Sequence, residues 1–257
     1  MYNQLASDYD RFNNWEGRLA VELPFIQKTL SSIQPSGAQP LRVLDAACGT
    51  GIHALSLAKL GYSVSGADLS AEMIEVAHSN AKTAGKDVRF EAVGFGDLTS
   101  TFGEGSFDAL LCLGNSLPHL LTSGELRTAL EDFARCLRLG GVLLIQNRNF
   151  DAVMATRQRW MEPQAFSDGS HEWVFMRFYD FEKDGNIHFN MITLKRPLGA
   201  EWQSATTSSR LAPQLLKDLN RALLETGFTN VWAYGNMTGE TFDAGASSNL
   251  VLTATRV

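Results

Sequence analysis

The chain has 257 residues, 44% of them hydrophobic, which is enough for one large α/β domain or for such a domain with a modest insertion. Lys and Arg number 22 against 28 Asp and Glu, a formal charge of −6, and no basic run exists that would track a phosphate backbone, so nucleic acid is not an expected partner. No stretch approaches ~18 uninterrupted apolar residues, and the opening YNQLASDYDRF lacks the basic and apolar regions of a secretion signal, so a cytoplasmic protein with no membrane partner is expected.

Residues 16–33 carry Leu19, Leu23, Ile26 and Leu30 at helical spacing, and Gln34-Pro35-Ser36-Gly37 ends that pattern. Strand and helix patterns then alternate: strand 41–46, helix 52–60, strand 62–68, helix 71–83, strand 88–93, strand 107–113, helix 123–138 and strand 141–147. Alternation of this kind predicts a parallel sheet with helices on both faces. After Phe150 the rhythm changes to two alternating runs around Asp184-Gly185, which predict an antiparallel hairpin over 171–195, with a further strand over 203–210. A helix at 213–226, a Gly227 stop and strands at 228–234 and 249–255 complete the pattern.

The expected fold is therefore α/β and Rossmann-like, a seven-stranded, mostly parallel sheet with an antiparallel β insertion after the fifth strand. The expected divisions are an N-terminal helical lid at 1–40, a ligand-binding core at 41–151, the insertion at 152–211 and the rest of the core at 212–257. Cys48, Cys112 and Cys136 are odd in number and show no C-x-x-C spacing, so they read as reduced, small apolar residues. Five histidines without H-x-x-H spacing give no metal signal, and no metal is expected.

In VLDAACGTG, Asp45 ends an apolar strand and Gly49 and Gly51 lead directly into a helix. Glycines there let a ligand approach the backbone, and the helix start offers free N–H groups. The next strand ends in Asp68, where a carboxylate can accept both hydroxyls of a ribose. Together they specify an adenosine ligand at the carboxyl edge of the sheet. A dinucleotide site would use G-x-G-x-x-G, and the third position here is Ala54, which only the looser form allows. Asp45 would repel a pyrophosphate but can accept from a cationic amine.

These residues resemble the first motif of the class I methyltransferases that use S-adenosylmethionine (SAM): Val43, Leu44, Asp45, Gly49 and Gly51, followed by Asp68 as the ribose acid. The resemblance covers 41–150 well and the later strands loosely. It implies SAM as cofactor, with contacts at Asp45, Ala47, Gly49, Gly51, Asp68, Met73, Asp97 and Leu98, Asp97 being matched to the acid that meets the adenine amino group. Two further segments, CLGNSLPH and NRNFD, are similar to those of the glycine and sarcosine N-methyltransferases, with Asn147 in place of a His and Phe150 in place of a Tyr. That likeness implies Leu113 and His119 beside SAM, Asn115 helping to hold the substrate, Arg148 gripping its carboxylate and Arg18 on the carboxylate of SAM. An Arg and an Asn at adjoining strand ends suit a small amino acid, by a two-pronged bond and a mixed donor–acceptor amide.

Other methyltransferases, acting on nucleobase or glutamine amides, carry a D/N/S-P-P-aromatic turn where this chain reads GNSLPH. A nicotinamide oxidoreductase or a SAM-binding module without catalysis would use the same glycine loop, the first lacking its full fingerprint here and the second needing no acceptor site. Tyr2 and Tyr9 suit either closure over a ligand from the N-terminal side or packing of that segment against the body, and the aromatic insertion, with Trp160, Trp173, Phe175 and Trp202, suits either a roof over the substrate cleft or a small core of its own. The sequence carries no sign of oligomeric state.

Overall fold

The computed structural model describes residues 10–11, 13–33 and 40–257, so Tyr2, Tyr9 and the Gln34–Gly37 break lie outside the described residues. The chain first forms α1 (Trp15–Ser31), capped by the Asn14 side chain, which accepts from the Gly17 amide. The core then alternates as β1 (Arg42–Asp45), α2 (Ile52–Lys59), β2 (Ser63–Asp68), α3 (Ala71–Ala84), β3 (Arg89–Ala92), α4 (Leu98–Phe102), β4 (Phe107–Cys112), α5 (Ser123–Cys136) and β5 (Leu137–Arg148). There follow α6 (Phe150–Thr156), four strands β6 (Gln164–Ser167), β7 (His171–Phe181), β8 (Ile187–Pro197) and β9 (Gln203–Leu211), then α7 (Leu216–Glu225), β10 (Phe228–Tyr234) and β11 (Asn249–Arg256).

Seven strands form one sheet in the order β10-β11-β5-β4-β1-β2-β3, and the other four form a second sheet in simple sequential order. In the large sheet β11 alone runs antiparallel to its neighbours. The central strands are buried on both faces. Alternate residues of β1 divide between two cores, Leu44 joining Leu110, Phe133 and Leu219 on the side of α5 and α7, and Val43 joining Ile26, Leu55 and Ile74 on the side of α1, α2 and α3. A third cluster joins Phe150 and Val153 of α6 to Tyr179, Ile187 and Leu211, and so fastens the second sheet to the end of β5.

Strand order reverses between β1 and β4, because β1 pairs with β2 on one side and β4 on the other. The helices that follow these two strands leave in opposite directions, which opens a crevice at the carboxyl ends of the strands. The insertion is larger than the hairpin and extra strand expected: β6 pairs outside β7 and makes it a four-stranded sheet. All four residues of β6 are exposed, so its sequence lacks the alternation that marks a half-buried strand. Strand β5 begins at Leu137, four residues before the expected start, because Leu137 already pairs with Phe107.

Candidate active site

The glycine loop is fixed by backbone bonds and by close packing. The amide of Cys48 donates to the carbonyl of Ala67, and that of Gly51 to the carbonyl of Cys48. Gly51 caps α2 with φ +79°, and a Cβ there would stand 2.8 Å from the Phe90 ring, so left-handed backbone and lack of room both require glycine. Asp68 ties the loop to β2: one carboxylate oxygen accepts from the Gly49 amide and the other from the Ser70 amide, each at 2.9 Å. A carboxylate has about four lone-pair sites, so acceptor capacity remains for a ligand.

A cavity of about 330 Å³ lies over this loop. Ala47, Gly49, Asp68, Met73, Leu113 and His119 line it, together with Val93, Gly94 and Phe95. Asp97 and Leu98 do not line it: the Leu98 side chain is fully buried in the core, and Asp97 begins α4, its carbonyl accepting from Ser100 and Thr101. Neither does Gly51, which supports the loop from below.

Asp45 is 1% exposed, and neither carboxylate oxygen meets a hydrogen-bond donor among the described residues, the Ala47 amide only leaning toward it outside hydrogen-bonding geometry. Burial lifts its pKa to about 6, the charge of His53 opposes that rise, and the charge of Asp68 adds to it. An ionised carboxylate without a partner is costly in such a place. Its chemistry therefore asks for a cationic donor.

A second cavity of about 320 Å³ adjoins the first, with Gly114 and His119 in the walls of both. Its lining includes Asn115, Gln146, Asn147 and Arg148 from the ends of β4 and β5, Arg18 from α1, and Arg177, Tyr179, Phe189 and Met191 from the second sheet. Strands β4 and β5 are stitched together here. Asn115 has φ +69°, its amide donates to the Gln146 carbonyl, and its side-chain oxygen accepts from the Arg148 amide at 2.9 Å. Asn tolerates this left-handed conformation, and the bonds on either side hold it there.

Arg18 stands on the wall of this second cavity and not of the first, gripped by Glu22 and Asn13. Glu22 also accepts from His53 Nε2 at 2.6 Å, which ties α1 to the helix that follows the glycine loop. Burial alone would raise the Glu22 pKa, but the bond from His53 and the charge of Arg18 outweigh it and hold the carboxyl below its ordinary range. His119 is pushed down to about 4 by burial, so its imidazole is neutral at pH 7. Tyr179 is pushed up by burial, against the charges of Arg148 and Arg177.

Several lining residues escaped the sequence reading as site residues, among them Asn147, Arg177 and Tyr179. Asn147 is 1% exposed, and neither atom of its side-chain amide has a hydrogen-bond partner among the described residues. Arg177 and Tyr179 share a face of β7 with the buried Trp173 and Phe175. A charge two residues from a buried aromatic, on the same side of a strand, is the signal that marks Arg177.

Comparison with known proteins agrees with this geometry. A methyltransferase-domain family profile matches residues 43–141. The chain is 31% identical over 242 residues to a glycine/sarcosine N-methyltransferase of Aphanothece halophytica, covering 89% of this chain and 79% of that one, and 29% identical to one of Halorhodospira halochloris, covering 92% and 81%. Among solved structures, a SAM-dependent methyltransferase of Clostridium acetobutylicum superposes with a TM-score of 0.77 at 16% identity, covering 99% of this chain and 98% of that one.

Proposed function

Because the chain belongs to the class I SAM-dependent methyltransferases, we propose that it methylates the nitrogen of a small amino acid, glycine, sarcosine or a close relative. One observation carries the choice of substrate: the arginine- and amide-lined cavity meets the cavity over the glycine loop at Gly114 and His119. Methyl donor and acceptor must approach in line, and that junction is where the two sites adjoin.

The residues present fit SAM. The unsatisfied, buried Asp45 suits its cationic amine, the remaining acceptor capacity of Asp68 suits its ribose, and Leu69, Met73, Val93 and Leu113 offer apolar walls. Bound there, SAM supplies a methyl group already activated on a sulfonium. Arg18 is the proposed partner of its carboxylate.

The chain's own residues then have to orient the acceptor and exclude water, which can supply about 7–11 kcal/mol of a barrier. The Arg148 guanidinium, whose backbone is fixed by Asn115, is the proposed grip on the acceptor carboxylate. The side-chain amides of Asn115 and Asn147 hold its polar atoms, the buried Asn147 amide being otherwise unsatisfied. His119, neutral at pH 7, adds no charge at the junction to oppose the sulfonium. No Asp or Glu lines the second cavity among the described residues, and its cationic walls favour the neutral, nucleophilic form of an amine. The second sheet is the proposed roof, closing over the acceptor with Tyr179, Phe189 and Met191.

The expected result for Arg148→Ala is a rise in acceptor KM of roughly ten- to a hundredfold, from the loss of a charge-assisted hydrogen bond. An unchanged KM and unchanged turnover would remove Arg148 from the acceptor site.

A further inference from the structure

Asn115, Gln146 and Asn147 bring their side-chain amides to the wall of the second cavity from the ends of β4 and β5. The oxygen of Asn115 accepts from the Arg148 amide, and that of Gln146 from the Gly114 amide. Asn147 differs from both. It is 1% exposed, and neither end of its amide meets a hydrogen-bond partner among the described residues.

The place of Asn147 in β5 makes this costly. Side chains alternate along a strand, so Asn147 follows Leu143 and Ile145 onto the face that joins the core around Leu110 and Phe133, and it stands opposite Leu250 of β11, which belongs to the same core. A leucine would complete that pattern. Each unpaired end of a buried amide instead costs roughly ten- to a hundredfold in the folding equilibrium.

The chemistry of an amide limits what can satisfy it. Whichever way its plane is turned, one end needs lone pairs and the other needs a hydrogen. A carboxylate offers lone pairs only. Glycine and sarcosine carry donor hydrogens on their nitrogen, next to the carboxylate, so one such molecule serves both ends: a carboxylate oxygen for Nδ2 and an N–H for Oδ1.

We propose that Oδ1 of Asn147 accepts an N–H of the reacting nitrogen, and that this bond admits primary and secondary amines and excludes tertiary ones. The inference deepens the amino-acid reading and rests on it. In the transfer, the lone pair of the neutral amine forms the new N–C bond while the methyl–sulfur bond breaks. The electron pair of that broken bond stays on sulfur, which becomes a thioether, and the product ammonium gives its proton to solvent. With the lone pair aimed at the methyl group, a hydrogen on the same nitrogen has to point elsewhere, and Asn147 fixes where. Neutral glycine has two such hydrogens and sarcosine one. Neutral dimethylglycine has none, so in its reactive form it sets a methyl group against Oδ1 and leaves that oxygen unpaired. Its zwitterion still carries one N–H, so the discrimination falls on turnover more than on binding.

The test measures methyl transfer to glycine, sarcosine and dimethylglycine. In the wild type, kcat for dimethylglycine should lie about ten- to a hundredfold below that for sarcosine, the size of one unpaired buried group, with the KM values closer together. Asn147→Leu should bring the two rates together, mainly by slowing sarcosine. Without ligand, the same variant should melt no lower than the wild type, because two unpaired groups leave a core position. A wild type that methylates dimethylglycine as fast as sarcosine overturns the proposal, whether or not the variant folds. So does an Asn147→Leu protein that keeps the wild-type ratio and melts lower, which would make the amide part of the framework.

This proposal and the amino-acid reading fail separately. If glycine, sarcosine and dimethylglycine are methylated at one rate, the amino-acid reading stands and the role of Asn147 falls. If no amino acid is methylated but another amine is, that amine is compared with its N-methyl and N,N-dimethyl forms. A preference for the forms with an N–H, lost in Asn147→Leu, then keeps the role of Asn147 while the amino-acid reading falls. If no nitrogen accepts a methyl group, both fall.

Discussion

With Asp45 as the proposed partner of the SAM amine, this carboxyl sets the expected pH dependence of cofactor binding. Its folded pKa is raised to about 6, first by burial, and a carboxyl must be ionised to pair with an ammonium group. SAM affinity should therefore be level above pH 6 and fall roughly tenfold for each unit below it. Titrations from pH 5 to 8 check this, and Asp45→Asn should bind SAM weakly with that pH dependence gone. His119 acts on stability instead. Its folded pKa of about 4 lies below the ordinary 6.5, so between these values the unfolded chain binds a proton that the folded chain does not, and stability must fall as pH falls through that window. Denaturant melts of His119→Phe should lose part of this acid sensitivity; a slope equal to the wild type's would mean that other groups carry it.

Residue by residue, the legible part of the site is the part that sequence brings together. Asp45, Gly49 and Gly51 are neighbours along the chain, and Asp68 follows at the end of the next strand, so spacing alone gathers them. Arg177 and Asn147 line one cavity from two different sheets, and no local pattern announces that they share it. Asp97 shows the reverse case, a residue at the expected place in the chain whose neighbours Val93, Gly94 and Phe95 form the wall instead.

At the scale of elements, helix α1 is attached to the cofactor loop by one buried polar link. Glu22 and His53 are 6% and 5% exposed, and their contact at 2.6 Å joins α1 to α2. Removing one partner of a buried pair leaves the other unsatisfied, so Glu22→Ala should cost about 3 kcal/mol of stability, read by denaturant unfolding. The loss should exceed that of Glu131→Ala, which breaks only an exposed i,i+4 pair with Arg127 on α5. Equal losses would show that the Glu22–His53 link does not hold α1 in place.

The elements themselves were legible in proportion to their burial. Strand β4 is buried at all six positions and reads as an apolar run broken only by Asp108, whose carboxylate is paired with Arg42 and Arg138, as suits a strand covered on both faces. Short pieces gave no such signal: α4 has five residues, α6 has seven, and β6 is exposed throughout. Their positions are set by contacts with the rest of the molecule. Phe150 and Val153, for example, turn inward to the core beneath the second sheet.

For the molecule as a whole, alternating strand and helix patterns implied a parallel sheet and a ligand crevice at its carboxyl edge, and the reversal of strand order at β1 and β4 opens that crevice. The placement of the second sheet above it could not be read from periodicity, because alternation fixes which residues share a face and not what that face covers. Yet this sheet supplies Arg177, Tyr179, Phe189 and Met191 to the wall of the second cavity, the proposed acceptor site. Among the described residues no helix is long and apolar enough to cross a membrane.

The proposed reaction is methyl transfer to the nitrogen of an amino acid. It is tested most directly by incubating the protein with SAM labelled in the methyl group and a panel of glycine, sarcosine, dicarboxylic amino acids, other amines and hydroxyl or carboxylate acceptors, and identifying the labelled product. Label is expected on the nitrogen of an amino acid, with the yield at low acceptor concentration falling sharply in Arg148→Ala. Label only on acceptors that lack an α-carboxylate would leave the methyltransferase in place and contradict the substrate.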